Sequence, residues 1–177
     1  HSTFSENFAS NGGGAIYSES GVIDINASTF VGNRSNGNRG AIFSDENRGF
    51  CKENTTFTEN FSSLPSGSGG GGGAIYSKDT AISLLSVTIT DNLTSSEGSG
   101  IFIDDSAGIS TGGLFMVNSI VSGNFGSSPE IEGATVSGTG NVIGVDPAVV
   151  FAAVGGTNRG GVLADNGGPV QTVALRD

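Results

Sequence analysis

The chain has no tryptophan, one cysteine, one histidine and four prolines among 177 residues. A lone thiol, Cys51, cannot close an internal disulfide, so nothing covalent replaces a packed core. No histidine or basic cluster flanks it to lower its pKa, and it reads as a half-buried small residue rather than a nucleophile. The single histidine, His1, stands at the chain start, which leaves acid–base catalysis without its commonest group. Seven basic residues against seventeen acidic ones give a formal charge of -10, which disfavours nucleic acid and anionic membranes, since phosphate contact needs Lys and Arg. No apolar run approaches the ~18 residues that cross a bilayer, and no stretch reads as a signal peptide. Direct membrane insertion of this segment is not expected.

Glycine is plentiful, at 31 residues, and Ser, Thr and Asn fill much of the remainder. Such a composition suits many short strands joined by tight turns and leaves little room for long helices. Two phrases recur every 26 to 33 residues. The first is Gly-Ala-Ile-aromatic-Ser, at Gly14 to Ser18, Gly40 to Ser44 and Gly73 to Ser77, with a degenerate copy from Gly100 to Asp104. The second sets an apolar residue three before an asparagine: Phe4/Asn7, Phe30/Asn33, Phe57/Asn60, Ile89/Asn92 and Val121/Asn124. A fixed period of this length means stacked units, none of which buries its apolar face alone.

Gapless alignment of Gly21–Asn33 with Thr80–Asn92 and Gly112–Asn124 brings apolar residues together at three places. Ile23, Ile82 and Leu114 share one, Ile25, Leu84 and Met116 the next, two residues on, which is the period of a strand with one buried face. Phe30, Ile89 and Val121 share the third, on a second strand, and the Gly-Ala-Ile phrase supplies another. The expectation is an all-β, right-handed parallel β-helix with about three short strands per coil and six or so coils, roughly 30 Å long at ~4.8 Å per coil. Residues 1–177 form one domain, regular over 1–124 and irregular over 125–177. Both ends fall inside the pattern, so a segment of a longer polypeptide is expected. In the Phe57 coil the template places Lys52 at an inward aliphatic position, an awkward fit.

Asparagine tolerates left-handed corners, and stacked copies can bond amide to amide along the axis. Asn7, Asn33, Asn60, Asn92 and Asn124 are therefore read as a structural ladder. If Ile16, Ile42 and Ile75 point inward, alternation sends Tyr17, Phe43 and Tyr76 outward, with Ile103 continuing the stripe; plain packing is the preferred reading, and a possible binding stripe for glycans or a partner protein the alternative. Threonine pairs beside the repeated Phe/Ile, at Thr29, Thr56/Thr58 and Thr88/Thr90, form a second outward array that ordinary β-propensity explains. Among the Asn-x-Ser/Thr sequons, Asn26 and Asn54 lie off the ladder and are the possible glycosylation sites.

The Gly-Gly-Ala-Ile and Phe-x-x-Asn phrases resemble the repeats of chlamydial polymorphic outer-membrane proteins and, more widely, of right-handed parallel β-helix surface proteins. The C-terminal third, with Asn118 to Asn124, Asn141 to Gly144, Asp146-Pro147 and Leu163 to Leu175, resembles the end of the β-helix in choice-of-anchor Q surface proteins. The resemblance implies an extracellular, surface-attached rod and transfers no catalytic residue.

Sugar-cleaving β-helix enzymes are the main catalytic alternative, and a hydrolase needs paired carboxylates facing the scissile bond while a lyase needs a base and usually calcium. Asp104 and Asp105, with Asp91 one coil earlier, are the best candidates, and a solvated turn at the corner serine's place is the preferred reading. The run Gly67 to Gly73 lacks the lysine and helix of a phosphate loop. No catalytic, cofactor or metal residue is assigned. The sequence thus points to a non-enzymatic, extracellular or cell-surface structural or adhesive solenoid, or a fibre subunit, whose partners are further copies, neighbouring surface proteins or glycans.

Overall fold

The computed structural model describes residues 1–37, 39–46, 49–63, 71–106, 113–155 and 160–176. The chain winds as a parallel β-helix whose coils stack strand on like strand. Each coil contributes to four parallel sheets, three main ones and a narrow fourth. Sheet 1 holds the Gly-Ala-Ile strands Ile16–Glu19, Ile42–Asp45, Ile75–Lys78 and Ile101–Asp104, and ends on Ile131–Glu132. Sheet 2 holds Val22–Asn26, Gly49–Glu53, Ile82–Leu85, Leu114–Val117 and Val136–Ser137. Sheet 3 holds Ser2–Ser5, Ser28–Val31, Thr56–Thr58, Thr88–Thr90, Ile120–Val121 and Val142–Ile143. Sheet 4, which the repeat did not announce, consists of the two-residue strands Phe8–Ala9, Arg34–Ser35, Phe61–Ser62 and Leu93–Thr94.

Register puts like on like. Phe4, Phe30, Phe57, Ile89 and Val121 form one inward column, in which the rings of Phe4 and Phe30 stack at 4.5 Å and those of Phe30 and Phe57 at 4.7 Å. Ile23, Ile25, Ile82, Leu84, Leu114 and Met116 fill the core from sheet 2, and Ile42, Ile75, Ile101 and Ile103 from sheet 1. Lys52 keeps the expected register between Ile25 and Leu84, and its side chain is fully buried. The degenerate fourth Gly-Ala-Ile copy is shifted by one residue. Ile101, not Phe102, pairs with Ile75, because Gly100 stands in the alanine's place, where its carbonyl receives the Ala74 and Ile75 amides.

The corners stack too. Glu6, Gly32, Glu59, Asp91 and Gly123 all have φ between 54 and 74 and turn the chain from sheet 3 into sheet 4. A second such column, Ala27, Asn54, Ser86 and Asn118, joins sheet 2 to sheet 3. The left-handed residue is therefore the one before each repeated asparagine, not the asparagine itself, which frees the asparagine side chain to point along the axis.

Each asparagine is bound to the next coil by two hydrogen bonds. Asn7, Asn33, Asn60 and Asn92 each donate their Nδ2 to the Oδ1 of the asparagine one coil on, at 2.8 to 2.9 Å. Their backbone N–H groups donate to the same oxygens at 3.0 to 3.2 Å. The second Nδ2 hydrogen turns back to the previous coil: Asn33 donates to the Phe4 carbonyl, Asn60 to that of Phe30, Asn92 to that of Phe57 and Asn124 to that of Ile89. The apolar-x-x-Asn spacing thus has a physical cause. One residue of the phrase fills the core, and its carbonyl is secured by the asparagine of the following coil.

Glu130 ends the ladder. It accepts the Asn124 Nδ2 at 2.7 Å on one carboxylate oxygen and the Asn124 N–H at 3.2 Å on the other. Burial pushes its pKa up, with hydrogen bonds from Asn124 and Gly123 acting in the opposite direction. The folded protein therefore holds the Glu130 proton more readily than the unfolded chain does. This group's contribution to stability is complete below the ordinary carboxylate pKa and is lost as pH rises through the raised one.

Beyond Asp146 the chain leaves the coil. A four-residue helix, Pro147–Val150, leads into short antiparallel pairings of Val154–Gly155 with Gly160–Gly161 and of Leu163–Ala164 with Thr172–Val173. The irregular region expected as further coils is one short coil, through Val142–Ile143, followed by a segment folded against the outside of sheet 3.

Substitutions at three positions test this frame. Asn60→Ala leaves the Asn33 donors and the Phe30 carbonyl without partners in a dry interior, and is expected to cost about 3 kcal/mol or more in denaturant unfolding. Lys52→Met keeps the aliphatic stem in the core and should leave the protein folded, whereas Lys52→Asp sets a short charged side chain in the same buried place and should cost about 3 kcal/mol or more; an unchanged melting temperature in Lys52→Asp would contradict the inward placement. Glu130→Gln offers the single shared oxygen used at every other rung, and should stabilise the protein at pH 7 with a gain that shrinks as pH falls through the raised Glu130 pKa and is gone below the ordinary carboxylate range.

Candidate functional site

With the core closed, the surfaces available for function are the outer faces of the four sheets. Sheet 1 carries Tyr17, Phe43, Tyr76 and Phe102 on its outside, in register. Successive ring centroids are 5.2, 5.2 and 5.3 Å apart. The one-residue shift of the fourth copy gives Phe102 the place expected for Ile103, which is buried inside. Accessibility along this stripe is uneven. Tyr17 is 52% exposed, Tyr76 only 6% and Phe43 fully buried.

The turns leading into these strands lie over the rings. A Cβ on Gly12, at φ +95, would stand 2.9 Å from the Tyr17 ring, and one on Gly98, at φ +67, 2.9 Å from Phe102 Cβ. From the same approach Arg39 sets its guanidinium 3.8 Å from the centre of the Phe43 ring. The Tyr76 hydroxyl donates to Asp104 Oδ2 at 2.9 Å; burial first, then that hydrogen bond, hold the phenol far above its ordinary pKa. Tyr17 donates to Glu19 Oε2 at 3.1 Å. These groups bind one another before they bind anything else.

Sheet 4 presents a different stripe, which sequence reading missed. Phe8, Arg34, Phe61, Leu93 and Phe125 pair rung by rung, while Ala9, Ser35, Ser62 and Thr94 point in. Phe8 is 63% exposed and Phe125 59%, and the Arg34 guanidinium lies 5.1 Å from the Phe61 ring centre. Aromatic residues therefore stand on every second rung, ~10 Å apart at the ordinary strand spacing. The signal lay in the residue directly after each ladder asparagine, yet strands of two residues carry no alternation by which to read a face.

Asp91 is not brought together with Asp104 and Asp105, the latter exposed directly after the strand that Asp104 ends. Asp104 ends a strand of sheet 1 in the column of Glu19, Asp45 and Lys78, one place beyond the serine position expected for it. Lys78 Nζ and Asp45 Oδ1 approach to 3.3 Å in that column. Asp91 occupies the corner between sheets 3 and 4, on another side of the coil. Among the described residues no group of three or more His, Cys, Asp or Glu is placed to hold a metal ion. His1 is exposed at the start of the first strand's coil, and its amino group lies 3.5 Å from the Asn26 carbonyl.

Of the two sequon asparagines, Asn26 is exposed on the outside of sheet 2 and donates to Glu53 Oε2 at 3.4 Å, and Asn54 is exposed at a left-handed corner. Cys51 pairs in register with Asp24 and Ser83. Most of the glycine run from Gly67 lies outside the described residues; Gly71, Gly72 and Gly73 are buried, with Gly71 bridging Glu97.

Of the known families, the Chlamydia polymorphic membrane protein repeat matches three stretches, residues 1–19, 27–45 and 54–78. Each stretch contains one apolar-x-x-Asn phrase and the Gly-Ala-Ile phrase that follows it, so the matched unit runs from sheet 3 through sheet 4 into sheet 1. The three stretches cover little more than a third of the chain. No curated protein and no solved structure matches it. Residues 1–78 of this β-helix thus contain three stretches similar to the Chlamydia polymorphic membrane protein repeat.

Proposed function

We propose that the chain is a non-enzymatic, extracellular or cell-surface rod that serves as a spacer and as an adhesive surface toward neighbouring surface proteins. The observation that carries this reading is the outer stripe of sheet 4, where Phe8, Arg34, Phe61, Leu93 and Phe125 recur along a backbone held rigid by the asparagine ladder. A contact that repeats at each rung gains strength by multivalency, since the second and later contacts are made at high effective concentration. The formal charge of -10 suits neutral or basic partners over polyanions. The kinship of its repeats to those of Chlamydia membrane proteins supports the surface location.

Two features favour a non-enzymatic role. Asp104 is engaged by the Tyr76 hydroxyl, and Asp91 turns a different corner of the coil, so they share no space in which a glycosidic bond would lie between them. A glycan seeking the sheet 1 stripe would meet Tyr17 and little of Phe43 or Tyr76. End-to-end joining of rods into a fibre extends the same reading, and electron microscopy of the full protein that shows only separate particles would remove that extension.

The test of adhesion is retention of cells or surface-protein extracts on beads coated with the parent chain and with a Phe8→Ser, Phe61→Ser, Phe125→Ser variant. Avidity should fall by roughly a hundredfold in the variant. Equal retention by the two would remove the adhesive role. Release of reducing or unsaturated sugar from acidic polysaccharides, lost in Asp104→Ala, would instead make the chain an enzyme.

A further inference from the structure

Beyond its exposed first rung, much of the outer face of sheet 3 is buried, although by strand alternation it points away from the core. Thr29, Thr58 and Thr90 are fully inaccessible, and Thr56 and Ile120 nearly so. What reaches this face is the segment after Asp146. Its root lies at the fifth rung, where the Ser122 hydroxyl donates to the Val145 carbonyl and Pro147 packs on Gly123. From there it runs back along the rod. The Gly161 N–H donates to Thr90 Oγ1 at 2.9 Å on the fourth rung, and Thr29 Oγ1 on the second donates to the Gln171 carbonyl at 2.7 Å.

Three observations separate this cover from the rod beneath it. Its apolar cluster, Phe151 and Val173 on Ile120 with Val142, Val150 and Leu163 alongside, shares no residue with the interior core. Its own pairings are short and antiparallel, whereas those of the rod are parallel and axial. Between the rungs that bond to it, the Thr58 hydroxyl is fully buried with no hydrogen-bond partner. A buried hydroxyl without a partner opposes closure, because water would satisfy it once the cover lifted. Seating is also exacting: a Cβ on Gly160 would stand 2.4 Å from the Asp91 backbone nitrogen, and one on Gly161 2.3 Å from Val173 Cγ1.

We propose that residues 147–155 and 160–176 form a latch that opens and closes as one unit over the outer face of sheet 3 while the coils stay wound. Closed, it masks a row of threonine hydroxyls; open, it presents that row and Ile120 to the surroundings. A unit joined to the rod by one small apolar cluster, separate from the interior core, can open below the cost of global unfolding. Opening therefore changes which side of the rod can make lateral contacts, independently of the sheet 4 stripe.

Hydrogen exchange of the full chain, read by mass spectrometry or NMR, tests the latch. The amides of Ala152, Val162 and Arg176, bonded within the cover, should exchange at least tenfold faster than those of Asn33, Asn60 and Asn92 on the ladder. Phe151→Ala should speed exchange in the cover a further tenfold or more and leave the ladder amides unchanged. Thr29→Val, a gentler variant that removes only the far hydrogen bond, should speed exchange at Leu163–Val173 in the same selective way. Cover and ladder exchanging together, variants that do not alter the cover, or variants that speed both equally would each overturn the proposal.

Discussion

The asparagine ladder is the constraint on which the rest of this molecule depends. A coil of short strands has no helix and no long sheet to fix its width, and its interior must still be dry. Asparagine answers both needs at one position. Its carboxamide accepts two bonds from the coil before it, donates one to the coil after it, and returns one to the carbonyl of the apolar residue that fills the core. Asn33, Asn60 and Asn92 are wholly buried, so these bonds are shielded from competition with water and losing one leaves polar groups stranded. The donors to the shared carboxamide oxygens all point the same way along the axis, and Glu130, which supplies acceptors alone when ionised, is chemically suited to be the last member.

From the ladder follows the distribution of surfaces. The left-handed residue before each asparagine turns the chain, and the residue after it begins sheet 4 with its side chain outward. That geometry, repeated, makes the Phe8 to Phe125 stripe a consequence of the same winding that builds the core. The sheet 1 aromatics arise in the same way but meet a glycine-rich approach turn that folds over them, and so become packing for the most part. Sheet 3 is closed off by the chain's own C-terminal segment. Of the outer faces of sheets 4, 1 and 3, the first is open, the second mostly filled and the third largely covered, while sheet 2 exposes Val22 and Phe115.

Much of this was legible because the period of the pattern equals the length of a coil. Phe30, Phe57 and Ile89 stack where the alignment put them, and Lys52 keeps register despite its charge, since backbone pairing on both sides outweighs one unfavourable side chain. Less was legible wherever periodicity was short or absent. Gly100 replaces an alanine and displaces the fourth copy by one residue, which moves Phe102 from the inner to the outer face. Glu130 takes the place of an asparagine only six residues after Asn124, just before the next sheet 1 strand, and no repeat spacing announces that. The antiparallel cover pairs two residues at a time, too few for any alternation to appear.

The most direct test of the ladder is the detection of through-hydrogen-bond couplings between side-chain amide nitrogens and carboxamide carbons in isotope-labelled protein. The account predicts correlations from Asn33 Nδ2 to Asn60 Cγ, from Asn60 to Asn92 and from Asn92 to Asn124, in that direction and with side-chain amide protons protected from solvent. Rapidly exchanging side-chain amides with no such correlations would contradict it.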